Sequence, residues 1–164
     1  KAKDVFDEFK RRSQLIIDGG KCKIGIESSV IDLTGFPKIL RPGIIGKNTI
    51  EKVLKKKIKN NIKGKKIKSP GIMKKHYSPG ITVLINQKKY DGKSAFIYLG
   101  KKYKNRKNFY SLSRNLDLNE AASNLYKILR LIKMKGYKKI QISKIPNLGS
   151  GVAINDRIQR ASKS

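Results

Sequence analysis

Residues Asp117–Gly136 read D-L-N-E-A-A-S-N-L-Y-K-I-L-R-L-I-K-M-K-G, and this stretch decides the fold class. Asp117 with Glu120 three residues on is a capping-box start. Ala121, Leu125, Ile128, Leu129 and Ile132 return to one face at helical spacing, and Gly136 stands just past the end. The segment is predicted to be a helix with one buried stripe. Downstream, Lys139–Ser143 alternates apolar and polar residues, with Ile140 and Ile142 facing one way, as in a strand. Asn147–Gly151 is a glycine-bearing turn. Val152–Ala161 reads as a second helix with Ala153, Ile154 and Ile158 inward. Upstream lie three short apolar strands, Phe109–Leu112, Ser94–Leu99 and Ile81–Ile85. The order β, β, β, α, β, α predicts an α/β layer fold with a largely parallel sheet.

The first half is thinner. Lys3–Arg12 is predicted as a helix, with Val5, Phe6 and Phe9 on one face. Leu15–Ile17, Ser28–Leu33 and Lys38–Leu40 read as strands, the first closed by an Asp18-Gly19-Gly20 turn. Asn48-x-x-Glu51 is a second capping box, opening a helix whose stripe is Ile50, Val53 and Leu54. So few elements bury little surface. Residues 1–56 are therefore expected to be the tail of a larger domain. The chain starts at Lys1 inside a helical pattern and is expected to be N-terminally incomplete. Lys55–Lys68 is a dense basic run with little periodicity, read as a solvated tether. Ser69–Gly80 follows as S-P-G-I-M-K-K-H-Y-S-P-G, with the chain's single histidine, His76, beside Tyr77. Each Pro-Gly pair favours a turn. The expected division is residues 1–56, a linker or lid over 57–80, and a second α/β domain over 81–164.

Composition narrows the classes. The chain has 164 residues, 38% of them hydrophobic. No run of about 18 apolar residues exists that would span a membrane, and no signal-peptide pattern is visible in the first residues given. One cysteine, Cys22, makes no internal disulfide, which fits a reducing cytoplasm. It reads as a small apolar filler rather than a catalytic thiol. The formal net charge is +29 and the sequence pI about 10.3. That charge has two readings, a polyanion partner such as RNA or ATP phosphates, or a Lys-, Ile- and Asn-rich composition drifted by an AT-rich genome.

Two loops are candidates for chemistry. Gly25–Asp32 reads G-I-E-S-S-V-I-D and puts the hydroxyls of Ser28 and Ser29 at a strand entrance. They can donate to a carboxylate or phosphate oxygen, or satisfy backbone groups at a strand edge. Ile39–Gly43 reads I-L-R-P-G. Arg41, fixed by Pro42 at the end of a strand, is either a phosphate-binding guanidinium at the sheet rim or a surface arginine.

These strings, in this order and spacing, resemble the YrdC-type L-threonylcarbamoyladenylate synthases of the long, two-domain form, whose usual motifs are close to G-I-E-S-T-V-V-D, I-L-R-P-G and S-P-G-M-x-x-x-H-Y-x-P. Ala153–Arg157 (A-I-N-D-R) resembles the family's C-terminal end. The resemblance implies a YrdC-like α/β remnant, a linker across its cavity mouth, and a small Rossmann-like α/β domain. It implies a nucleotidyltransferase that joins L-threonine, bicarbonate and ATP into L-threonylcarbamoyl-AMP, releasing pyrophosphate. Mg²⁺ is implied with ATP. The product feeds tRNA N6-threonylcarbamoyladenosine modification by a downstream transferase machinery. By position, Ser28 and Ser29 match the threonine site, Arg41 an arginine on the ATP phosphates, and His76 and Tyr77 the residues closing over the nucleotide. Position 29 is Ser where the family has Thr. The family's Lys-x-Arg and Ser-x-Asn motifs belong to a part before Lys1, so this chain alone is expected to be inactive. The rival expectation is a non-catalytic basic module binding tRNA or double-stranded RNA.

Overall fold

A computed structural model describes residues 2–9, 15–20, 22, 24–60, 80–104 and 106–163. The elements are α1 (Ala2–Phe9), β1 (Val30–Asp32), β2 (Lys38–Arg41), α2 (Lys47–Leu54), β3 (Lys59–Asn60), β4 (Thr82–Leu84), β5 (Ala95–Tyr98), β6 (Phe109–Ser111), α3 (Leu118–Met134), β7 (Lys139–Ile142) and α4 (Ser150–Ala161).

The second half is the α/β layer structure expected. Its sheet has the order β4-β7-β5-β6, and every neighbouring pair is parallel. Burial follows that order. Every residue of the interior strand β5 is buried, whereas Thr82 and Leu84 on the edge strand β4 are exposed. The sheet has two different faces. Ala95, Ile97, Ile140 and Ile142 join Leu125, Leu129 and Ile132 of α3 and Ala153, Ile154 and Ile158 of α4 in one core. On the other side, Phe96 and Tyr98 meet Tyr103, whose ring centroid lies 4.6 Å from that of Phe109.

The start of α3 is fixed as the sequence indicates, with one addition. Asp117 is the N-cap, and its carboxylate accepts from the N–H groups of Asn119 and Glu120. Glu120 does not return the bond directly. The Asp117 N–H donates to the Ser113 hydroxyl at 3.0 Å, which donates to Glu120 at 2.6 Å. Ser113 thus closes the box as a relay, a use of the hydroxyl as both donor and acceptor.

Asp91 anchors the entrance to β5. It accepts from the Ser94 hydroxyl at 2.6 Å and from the N–H groups of Ser94 and Lys93. The Ser94 hydroxyl, then its N–H, hold the Asp91 carboxyl well below the ordinary 3.8. A depressed folded pKa gives stability that is complete above the unfolded value and lost as pH falls towards the folded one. Asp91→Asn is expected to flatten the decline in melting temperature below pH 3.8. An acid limb parallel to that of the unaltered chain would assign the decline to other groups.

The first half forms a smaller sheet, with β1 antiparallel to β2 and β2 parallel to β3. Ile39, Ile50 and Ile58 are its buried core, with Ile31 and Leu54 packed against them. Three expectations are corrected here. Leu15–Ile17 belongs to no strand among the described residues, and Leu15 and Ile17 are 79% and 84% exposed. Val5, Phe6 and Phe9 of α1 are all exposed. Asn48 does not cap α2. Gly46 takes the extended N-cap conformation, and Glu51 is drawn away to accept from the Ile58 N–H at 2.8 Å. The basic run is not solvated throughout, since Lys55–Lys57 are exposed but Ile58 is buried and Lys59–Asn60 pair with β2. Its remainder, residues 61–68, lies outside the described residues.

Candidate functional site

The β1–β2 hairpin brings the two candidate loops together. Val30 pairs with Arg41 in register, with an irregularity before Ile31. That pairing folds the Arg41 guanidinium back on Ser28. Nε donates to the Ser28 carbonyl at 3.1 Å, and Nη2 lies 3.4 Å from the Ser28 hydroxyl. Ser28 is exposed and Arg41 half-buried, so both face open space while touching each other. Ser29 is engaged differently. Its hydroxyl donates to the Ile45 carbonyl at 2.7 Å and accepts from the Gly43 N–H at 3.1 Å. It therefore staples the serine loop to the loop after Pro42. His76 and Tyr77 lie outside the described residues.

Glycine makes this approach feasible. A β-carbon on Gly43 would stand 2.2 Å from the Ser29 nitrogen. Pro42 and Gly43 also line a cavity of about 840 Å³. Its other wall is the second half, through Leu116, Asn119, Asn147 and Ser150. The Ser150 hydroxyl donates to Asn119 Oδ1 and ties the start of α4 to that of α3.

The serine loop is gripped by the second half as well. Ile26 is buried in the core of the larger sheet. Gly25, at φ +69°, lies so close to α3 that a β-carbon would be 2.8 Å from the Ser123 Cα. Glu27 accepts from the Tyr126 hydroxyl at 3.1 Å and from Arg157 Nε at 2.9 Å. Arg157 Nη1 also donates to the Pro42 carbonyl and to Asp156, at 2.9 and 2.7 Å. Sequence reading passed over this arginine as part of a motif. The signal was there in its position: Arg157 lies three residues after Ile154 and one before Ile158, on the inward stripe of α4, and is 1% exposed.

Among the described residues no group of three or more His, Cys, Asp or Glu side chains gathers to hold a metal. Nor, among them, is any helix long and apolar enough to cross a membrane.

Residues 45–163 match the family of the threonylcarbamoyl-AMP synthase C-terminal domain, and residues 1–43 match a family described as "Telomere recombination". The chain belongs to the threonylcarbamoyl-AMP synthase family. It is 33% identical over 182 residues to the threonylcarbamoyl-AMP synthase of Pyrococcus abyssi, covering 98% of this chain and 53% of that protein. It is 29% identical to the enzyme of that name from Schizosaccharomyces pombe, covering 98% of this chain and 48% of the relative. The crystal structure of Pyrococcus abyssi Sua5 complexed with L-threonine superposes with a TM-score of 0.80 at 30% identity, covering 98% of this chain and 53% of that one. A variant of the same archaeal protein, with an adjacent histidine and tyrosine both changed to alanine, superposes with a TM-score of 0.77 at 29% identity. The chain spans about half the length of the curated relatives it matches.

Proposed function

We propose that this chain is the part of a threonylcarbamoyl-AMP synthase that supplies one wall of the substrate site, its lid and its second domain. The threonine amine condenses with bicarbonate to a carbamate with loss of water, and the carbamate reacts with ATP to give L-threonylcarbamoyl-AMP and pyrophosphate. The carbamate oxygen attacks the α-phosphorus in line and pyrophosphate leaves. Both reactants are anions, so a cationic donor placed between them offsets their repulsion. Arg41 is assigned to the ATP phosphates and Ser28 to L-threonine. Ser29 staples together the two loops that carry them. The observation that carries this reading is the Arg41–Ser28 contact, which sets a guanidinium beside a hydroxyl. L-threonine as substrate is supported by the relative solved with that amino acid bound.

His76 and Tyr77 are assigned to a cover over the nucleotide, which would keep water from the labile carbamate and mixed anhydride. The relative altered at an adjacent His–Tyr pair is the parallel for them. Mg²⁺ would travel with ATP, and the product would pass to the tRNA-modifying transferase.

The test is pyrophosphate release that requires both L-threonine and bicarbonate, measured on the polypeptide including any coding sequence in phase before Lys1. Arg41→Ala is expected to weaken ATP use about tenfold, the loss of one or two charge-assisted bonds. Release unaffected by Arg41→Ala, together with RNA affinity that falls, would favour the basic RNA-binding reading that the net charge of +29 also allows.

A further inference from the structure

Arg157 stands in the second half of the chain, yet two of its bonds go to the first. Its Nε donates to Glu27 at 2.9 Å, 130 residues away, and its Nη1 to the Pro42 carbonyl at 2.9 Å, 115 residues away. Glu27 is the chain neighbour of Ser28, and Pro42 is the chain neighbour of Arg41. One guanidinium therefore holds the two loops from behind, one residue from each group assigned to a substrate. It does so from a rigid base. The helix bearing it is packed in the core through Ile154 and Ile158 on either side. Asp156 accepts from Arg157 and is itself gripped by Nε and Nη2 of Arg160, at 3.0 and 2.9 Å. On the other side, Tyr126 of α3 donates to Glu27.

The named charges of the cluster balance, with Arg157 and Arg160 facing Glu27 and Asp156. A buried arginine is tolerated where such partners offset its charge. The planar fork matters as much as the charge, because two bonds at fixed angles set the spacing of two loops. A lysine offers one nitrogen and cannot hold Glu27 and Pro42 in that geometry.

We propose that Arg157 is a positioning residue, which sets the Ser28–Arg41 arrangement through Glu27 and Pro42 and makes it depend on the docking of α4. The coupling rests on geometry alone. Only the identity of the ligand at Ser28 and Arg41 rests on the function proposed above.

The test is amide hydrogen exchange in this chain for Arg157→Lys, for Glu27→Gln and for the double variant. In Arg157→Lys, exchange at residues 28–32, 41 and 43–46 is expected to rise at least tenfold, while amides of β5 and β7 stay within twofold of the unaltered chain. Glu27→Gln, which leaves α4 untouched, should produce the same pattern more weakly, and the double variant should exceed Arg157→Lys by less than the sum. Loop exchange within twofold in both single variants overturns the proposal. So does a rise in β5 and β7 equal to that in the loops, which would make Arg157 an ordinary core residue. Because exchange is read without substrate, a failure here is distinct from a failure of the synthase reading.

Discussion

Gly43→Ala is expected to destabilise the first half by about 3 kcal/mol and to separate Ser28 from Arg41. The added β-carbon would lie 2.2 Å from the Ser29 nitrogen, 2.6 Å from the Ser28 carbonyl carbon and 2.8 Å from the Glu27 oxygen. All three are backbone atoms, so none can swing aside as a long side chain would. The Gly43 N–H must also give up its bond to the Ser29 hydroxyl if the loop backs away. A displacement of about 1 Å in groups that orient substrates commonly costs roughly a hundredfold in rate. Gly35→Ala is the control, since its β-carbon meets nothing within 4 Å. Urea unfolding of this chain measures the first effect, and ATP-dependent pyrophosphate release by the polypeptide including any coding sequence in phase before Lys1 measures the second. A Gly43→Ala protein with an unchanged midpoint and unchanged release would mean that the two loops are not in contact in solution.

Leu125→Ala is expected to cost about 3 kcal/mol in the second half. Leu125 is fully buried between the sheet and α4, in the cluster that contains Ile97, Ile140 and Ile154. Truncation loses the transfer energy of the removed carbons and leaves a cavity, for which leucine-to-alanine changes typically cost about 2–5 kcal/mol. For a domain of this size that is a fall in melting temperature of about 12–24 °C. Met134→Ala on the same helix, at a position 79% exposed, should shift stability by less than about 0.5 kcal/mol. Circular dichroism melts of the two variants make the comparison. Equal melting temperatures would show that α3 does not pack on the sheet through Leu125. The change also reaches the candidate site, because Ile26, two residues before Ser28, is buried in the same cluster.

Periodicity made the second half readable. Each of its four strands and two helices lies within a residue or two of its sequence reading, because burial on one face imposes a repeat that the residues display. Strand order was not legible. β7 enters between β4 and β5, a choice made by crossover packing rather than by any strand's own residues. The two capping boxes show where local pattern stops deciding. Asp117-x-x-Glu120 starts α3, while the similar Asn48-x-x-Glu51 lies inside α2. The difference is tertiary, since Glu51 finds the Ile58 N–H across a turn. Leu15–Ile17 has strand-like residues but joins neither described sheet, so composition alone misleads. At the site, Ser28 and Arg41 were visible separately, and the hairpin register joins them. What was invisible is the grip from α4. An arginine on an apolar stripe marks a buried partner, but the sequence does not say that Glu27 is that partner.

The separation of 130 residues between Glu27 and Arg157 has a consequence for synthesis. A ribosome adds about 5–20 residues per second, so Glu27 waits roughly 7–26 s for its arginine. During that interval the serine and Arg-Pro-Gly loops exist without the helix that fixes their spacing. A nascent chain therefore gains the Arg157 bonds to Glu27 and Pro42 only after α4 has left the ribosome and packed. The fold itself serves as a check that translation has run through the second half.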